Sequence, residues 1–179
     1  MALLTRMRAR RAMLLGVLAS GICQGQVFNE YQVKAAFVYT FAKFVEWPPQ
    51  TFSSPSAAIT ICILGDDPFG GFLDDTVKGK TLDDRPLAIY RLTGLPTGQE
   101  CKILFIAASE GRRIQALLAS LAPLGILTVG DTPDFAAQGG IIGLRLDGER
   151  IRLTVNLTAA ERAKVRISSR VLSLATIIK

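Results

Sequence analysis

Histidine is absent from the 179 residues, and its absence removes much hydrolytic chemistry at once. No Ser–His or Cys–His pair can be assembled, and the histidine-rich catalytic zinc sites are excluded. Glycine signatures are missing too. The chain has no G-x-S-x-G, no G-x-x-x-x-G-K-[ST] and no G-x-G-x-x-G, so it lacks the nucleophile elbow, the P-loop and the dinucleotide fingerprint. No D-x-[DN]-x-[DN]-G loop offers a calcium site. Cysteine is scarce, at three residues. The inventory therefore points away from an enzyme, with no cofactor and no metal expected.

Long apolar runs are equally rare, and the first of them is short. Met1 to Arg11 carries Arg6, Arg8, Arg10 and Arg11 without an acid. Ala12–Ala19 is apolar, and Ser20–Gly25 is mostly small. These are the three regions of a secretory signal peptide. A bilayer-spanning helix needs about 20 apolar residues, and this run is much shorter. Cleavage is expected after Gly25, with Gly21 as the alternative. A lipoprotein reading of Cys23 is disfavoured by Ile22, where a small residue belongs.

Removing 1–25 changes the charge argument. The whole chain has 21 bases and 15 acids, net +6. Four of those bases are the leader arginines, so 17 bases then face 15 acids. So even a balance leaves no electrostatic footprint for nucleic acid. Residues 26–179 have the length of one domain. No later stretch is long and charge-free enough to cross a membrane, so an exported, periplasmic protein is expected.

Cys62 and Cys101 survive the cleavage, an even number in an oxidising compartment. Cys62 lies in the strand-like run Ala58–Leu64 and Cys101 opens Cys101–Ile106. Neighbouring strands would bring their Cα atoms within the roughly 4.4–6.8 Å that a disulfide requires. Two buried free thiols are the alternative.

Asn29 to Trp47 reads as an amphipathic helix, with Val33, Phe37, Thr40, Phe41, Phe44 and Trp47 on one face. Lys34, Lys43 and Glu46 fall off that face, and Pro48-Pro49 ends the helix. Most of its rings are expected to pack on a sheet, while Tyr39 is a candidate to face outward. Strands follow at Ile59–Leu64, Pro86–Leu92, Lys102–Ala107 and Ile126–Val129. Ile141–Leu146 and Ile151–Val155 form a hairpin around Asp147-Gly148. Helices are expected after Asp67, from Glu110 to Leu121 behind Ser109, in a turn after Asp131, near Thr158–Lys164 and from Ser168 to about Ile178.

Strands that are mostly continuous apolar runs, alternating with short helices, predict an α/β fold. The architecture is a three-layer, Rossmann-like sandwich, its sheet mainly parallel with an antiparallel edge hairpin. Right-handed crossovers would set Asp67, Ser109 and Asp131 past the carboxyl ends of the strands, where open α/β sheets bind ligands. All three are also ordinary helix caps. A hydrolase built on Asp66, Asp67, Glu110 and Asp131 is a weaker reading, since capping accounts for three of the four.

Taken together, the segments resemble the YfiR family of periplasmic proteins. The resemblance is carried by Lys34-Ala-Ala-Phe-Val-Tyr-Thr-Phe-Ala-Lys-Phe-Val-Glu-Trp-Pro48 and Ile61-Cys-Ile-Leu-Gly-Asp-Asp-Pro-Phe-Gly70. Further blocks are Cys101–Ile106, Ser109-Glu110, Leu127–Asp131, Phe135–Gly140, Val155-Asn-Leu157, Ala159-Ala160 and Ile167–Ser169, all in one order. It implies a non-catalytic regulator that binds the periplasmic sensor region of an inner-membrane, YfiN-like diguanylate cyclase and holds it inactive, lowering cyclic di-GMP. It also implies a Cys62–Cys101 disulfide and a homodimer. Some members have a second bridge where this chain has Ala136 and Gly143. For a partner surface the first candidates are Ile141, Ile142 and Leu144 of the hairpin, then Asn156 and Ala160, although core packing explains the same residues. The rival is a small-molecule-binding module that uses the Asp67–Ser109–Asp131 edge and acts on another membrane signalling protein.

Overall fold

The computed structural model describes residues 29–96 and 101–179. The expected leader with Cys23, and the end of the 93–100 loop, lie outside the described residues.

Helix α1 (Glu30–Phe44) starts at Asn29, whose side-chain oxygen accepts the amide hydrogen of Gln32 at 3.2 Å. That contact satisfies one of the donors a helix start leaves free. The helix stops before Trp47, because Val45–Glu46 turns extended as β1 and pairs antiparallel with β9 (Arg166–Ile167). Its buried side chains are Lys34, Ala35, Val38, Phe41 and Ala42. The inner face is thus rotated from the one expected. Alanines lie against the sheet, and Phe37, Phe44 and Trp47 are only partly covered. Tyr39 is half-buried, with the Lys80 Nζ 4.3 Å from its ring centre.

The main sheet has eight strands. Five of them, β2 (Ile59–Leu64), β4 (Arg85–Leu92), β5 (Ile103–Ile106), β6 (Leu127–Gly130) and β7 (Ile142–Asp147), run parallel in the order β4-β2-β5-β6-β7. β8 (Arg150–Asn156) returns antiparallel to β7, as the hairpin around Asp147-Gly148 predicts. Outside it lies β10 (Ala175–Ile178), parallel to β8. At the other end β3 (Thr81–Leu82) turns back on β4. The helix expected to run to Ile178 therefore stops after α5 (Ser169–Leu172) and gives way to a strand. The free edge of β8 supplies a ladder for the β-branched Thr176-Ile-Ile178, which outweighs a short helix there.

Period-two alternation divides the core into two. Ile59, Ile61, Ile63, Ile103, Phe105, Leu127, Val129, Ile142, Leu144, Leu153 and Val155 face α1, α2 (Phe72–Val77), α4 (Leu157–Arg162) and α5. Cys62, Leu64, Leu104 and Ile106 face α3 (Ile114–Leu121). The result is the three-layer, mainly parallel α/β sandwich predicted from the apolar runs. Cys62 and Cys101 are joined on the α3 side with Cα atoms 5.8 Å apart, both at most 1% exposed.

Candidate functional site

The carboxyl ends of β2, β5 and β6 bring Asp67, Ser109 and Asp131 to one edge of the sheet, as right-handed crossovers require. None of them caps a helix. Asp67 accepts the Phe69 amide hydrogen in a local turn at 2.8 Å, while α2 starts later, behind Gly71. Its other oxygen takes the Arg91 Nε at 2.7 Å, and Arg91 also reaches Asp74 and the Gly70 carbonyl. Ser109 stands inside a 3-10 turn (Ala108–Arg113) that precedes α3, so the single helix expected from Glu110 begins only at Ile114. The Ser109 hydroxyl oxygen accepts the Asp66 amide hydrogen at 2.9 Å.

That last contact falls where the strand order reverses, between β2 and β5, which is the usual ligand crevice of such sheets. Gly65 makes it feasible. Its φ is +91°, and a Cβ there would stand 2.4 Å from the Ser109 Oγ. Only glycine allows so close an approach. The two loops are thus fastened to each other across the crevice.

Asp131 has the most consequential surroundings. Its carboxylate is 4% exposed and takes the Lys34 Nζ at 2.7 Å and the Tyr31 hydroxyl at 3.0 Å. Lys34 is 2% exposed and also pairs with Glu30, one turn earlier. The lysine expected on the outer side of α1 is therefore its most buried charge. Tyr31 stands edge-on to Phe69, and Phe69 to Phe105, so apolar rings flank the cluster. The cluster is a buried ion pair with a phenol attached, built to fix α1 on the end of β6.

Its chemistry shows in Tyr31. Burial, followed by the charge and hydrogen bond of Asp131 and the charge of Glu30, pushes the phenol well above its ordinary range. An acid raised on folding contributes stability that is present below its unfolded value, about 10, and lost as the pH climbs past it. In an alkaline titration followed at 295 nm, one tyrosine should ionise only with unfolding. Tyr31→Phe should lack that late step and leave the earlier absorbance change intact. A Tyr31→Phe curve that keeps the late step would contradict this environment.

The residues expected to meet a partner are mostly interior. Ile141, Ile142, Leu144 and Ala160 are at most 3% exposed and pack into the core. Asn156 caps α4 through the Ala159 amide and donates to the Ala136 carbonyl at 2.8 Å. A hairpin strand buried on one face shows only its distal and opposite side chains to solvent. Those are Leu146 on the face that carries Leu144, and Arg145, Arg150 and Arg152 on the other; Ile177 of β10 is exposed on the Leu146 face, and Leu174 in the turn before it. Sequence reasoning missed Leu174 and Ile177 because it placed them in a helix.

Ala136 and Gly143 are adjacent, and a Cβ on Gly143 would lie 3.8 Å from that of Ala136. That equals the usual Cβ separation of a disulfide, about 3.8 Å. The double variant Ala136→Cys, Gly143→Cys should oxidise without rearrangement and gain about 2.5 kcal/mol, the chain-entropy value for so short a loop. Urea unfolding with and without reductant measures the gain. Two thiols that stay free after air oxidation would refute the geometry.

The family model described as YfiR/HmsC-like matches residues 31–176. A search of curated proteins returns no match. Among solved structures, the chain is similar to a conserved domain protein from Vibrio cholerae O1 biovar eltor, at 13% identity and a TM-score of 0.58, covering 81% of this chain and 60% of that one. It is also similar to an ABC domain in complex with L-Trp from Streptococcus pneumonia, at 8% identity and a TM-score of 0.54, covering 83% and 60%. The chain thus spans about 60% of the length of each. At such identities the likeness is one of fold, and the fold is again α/β.

Proposed function

The chain belongs to the YfiR/HmsC-like family, and from that premise we propose that it is a non-enzymatic periplasmic regulator. It binds the periplasmic sensor region of an inner-membrane diguanylate cyclase and holds the cyclase inactive. The family match over residues 31–176 carries the reading. A disulfide closing over the core at Cys62–Cys101 suits an oxidising compartment. Among the described residues no helix is long and apolar enough to cross a membrane. Three of the four acids considered for hydrolysis are occupied by cations: Asp67 by Arg91, Glu110 by Arg113 and Asp131 by Lys34. Carboxylates held this way favour scaffolding over proton transfer.

The regulator works by differential affinity. Moving a partner from 99:1 active to 1:99 takes about 5.5 kcal/mol of preference for the inactive state. A small exposed apolar patch can supply it. Leu146 and Ile177 share the α1-side face of β7 and β10, and Leu174 stands exposed in the turn before β10, so these are the apolar side chains that edge offers.

The test joins the mature chain to a cyclase reconstituted in nanodiscs with its periplasmic region outward. Cyclic di-GMP output should fall as the chain is added. Leu146→Asp combined with Leu174→Asp should abolish the effect while leaving the urea midpoint unchanged. An unaltered output at saturating chain, with no binding to the isolated sensor region, would overturn the proposal.

A further inference from the structure

A cavity of about 550 Å³ opens on the α3 side of the sheet, over β2 and β4 and away from the hairpin. Its floor is Thr60 and Cys62 of β2 with Tyr90 and Leu92 of β4, and Phe52 forms a wall. The lining is mainly apolar, and the volume falls in the range of small-molecule sites, about 300–1,000 Å³. Among the described residues that line it, one is charged, Lys102, which is 5% exposed.

Lys102 is the anomaly. A buried ammonium is normally paired with a carboxylate, because leaving water without one is costly. The Lys102 Nζ instead donates to the Thr51 carbonyl at 2.6 Å and lies 5.0 Å from the Phe52 ring centre. Among the described residues no carboxylate stands within ion-pair distance of it. A second cation acts on it, Arg85, whose guanidinium carbon lies 3.9 Å from the Phe52 ring centre and which donates to the Ser54 and Ala57 carbonyls. Burial, with Arg85 adding to it, pushes the Lys102 ammonium below its ordinary range. An ammonium offers three donors, and among the described residues one is used.

We infer that this cavity is a binding site for a small apolar monocarboxylate, its hydrocarbon or ring over Cys62, Tyr90 and Leu92 and its carboxylate on Lys102. The sign and size of the site select against other classes. An amino acid would place its ammonium near Lys102, with no acid among the described residues lining the cavity to receive it. A neutral alcohol would leave the lysine unneutralised. The inference stands apart from the cyclase reading, since it concerns neither the same surface nor the same residues.

The experiment uses the mature, oxidised chain, labelled with nitrogen-15 and titrated separately with octanoate, octanol and octylamine. Octanoate should move the amide signals of Thr60, Cys62, Tyr90 and Leu92 and saturate. Octanol and octylamine should bind at least about tenfold more weakly, the ratio that 1.4 kcal/mol confers. Lys102→Met should weaken octanoate by about tenfold or more without weakening octanol, again near 1.4 kcal/mol. Ala57→Phe, which fills the cavity from its rim and keeps the lysine, should block all three, and it replaces Lys102→Met if that variant does not fold. Equal binding of the amine and the acid, shifts at other amides, or no saturation by octanoate would each overturn the inference.

Discussion

Replacing Asp131 by alanine should lower the unfolding free energy by about 3–5 kcal/mol, the cost of leaving a buried charge without its partner. The stranded group is Lys34, 2% exposed, which would keep only the partly exposed Glu30. Tyr31 would lose its acceptor in the same step. A domain holds only about 5–15 kcal/mol in total, so the variant should unfold at markedly lower urea and could be unfolded near body temperature. The double variant Lys34→Met, Asp131→Leu separates the ion pair from simple packing. Removing both charges together leaves neither stranded, so it should recover most of the loss. Equilibrium urea curves for the three proteins decide the matter. A single variant within about 1 kcal/mol of the parent would show that the pair is solvated, contrary to its burial.

The disulfide gives the second large effect. Cys62 and Cys101 are 39 positions apart, and opening a loop of that length frees the unfolded chain by about 4 kcal/mol on the chain-entropy model. Cys62→Ala with Cys101→Ala should therefore shift the urea midpoint by roughly 2 M, taking a slope of about 2 kcal/mol/M. Both residues are buried between β2, β5 and α3, so dithiothreitol should act on the native protein slowly and only as fast as the region opens. A reduction rate that ignores added urea would mean that the bridge is accessible. A double variant as stable as the parent would mean that the unfolded chain gains little from its release.

The two predictions also mark where the sequence could be read and where it could not. The strands were visible because parallel strands buried on both sides are written as unbroken apolar runs, such as Ile61-Cys-Ile-Leu64 and Leu104-Phe-Ile106. Their neighbour order was not written in these runs, and Cys62 and Cys101 met because β2 and β5 are adjacent. The edge residues were placed correctly but given the wrong work. Asp67, Ser109 and Asp131 each have the local signature of a cap, yet each is taken up by a group distant in sequence: Arg91, Asp66 and Lys34. Local rules carry no knowledge of a partner 97 positions away. The face of α1 was misjudged for the same cause. Aromatic size drew attention to Phe37, Phe44 and Trp47, whereas close packing on the sheet selected Ala35 and Ala42, and Asp131 made the burial of Lys34 tolerable. The final helix was wrong because the propensity of Thr176-Ile-Ile178 is weak until β8 offers an unpaired edge.

The small ribbon of β1 and β9 has a bearing on time as well as on shape. It ties Val45 to Ile167, and just beyond it Ser168 donates to the Phe44 carbonyl. A chain made from its amino end therefore exposes α1 long before the residues that cover it exist. Contacts of such sequence separation slow folding. The first helix must wait for Asp131 before its lysine is paired, and for Ile167 before its last turn is tied down. An interval of that kind is one in which a polypeptide can still be threaded through a narrow pore.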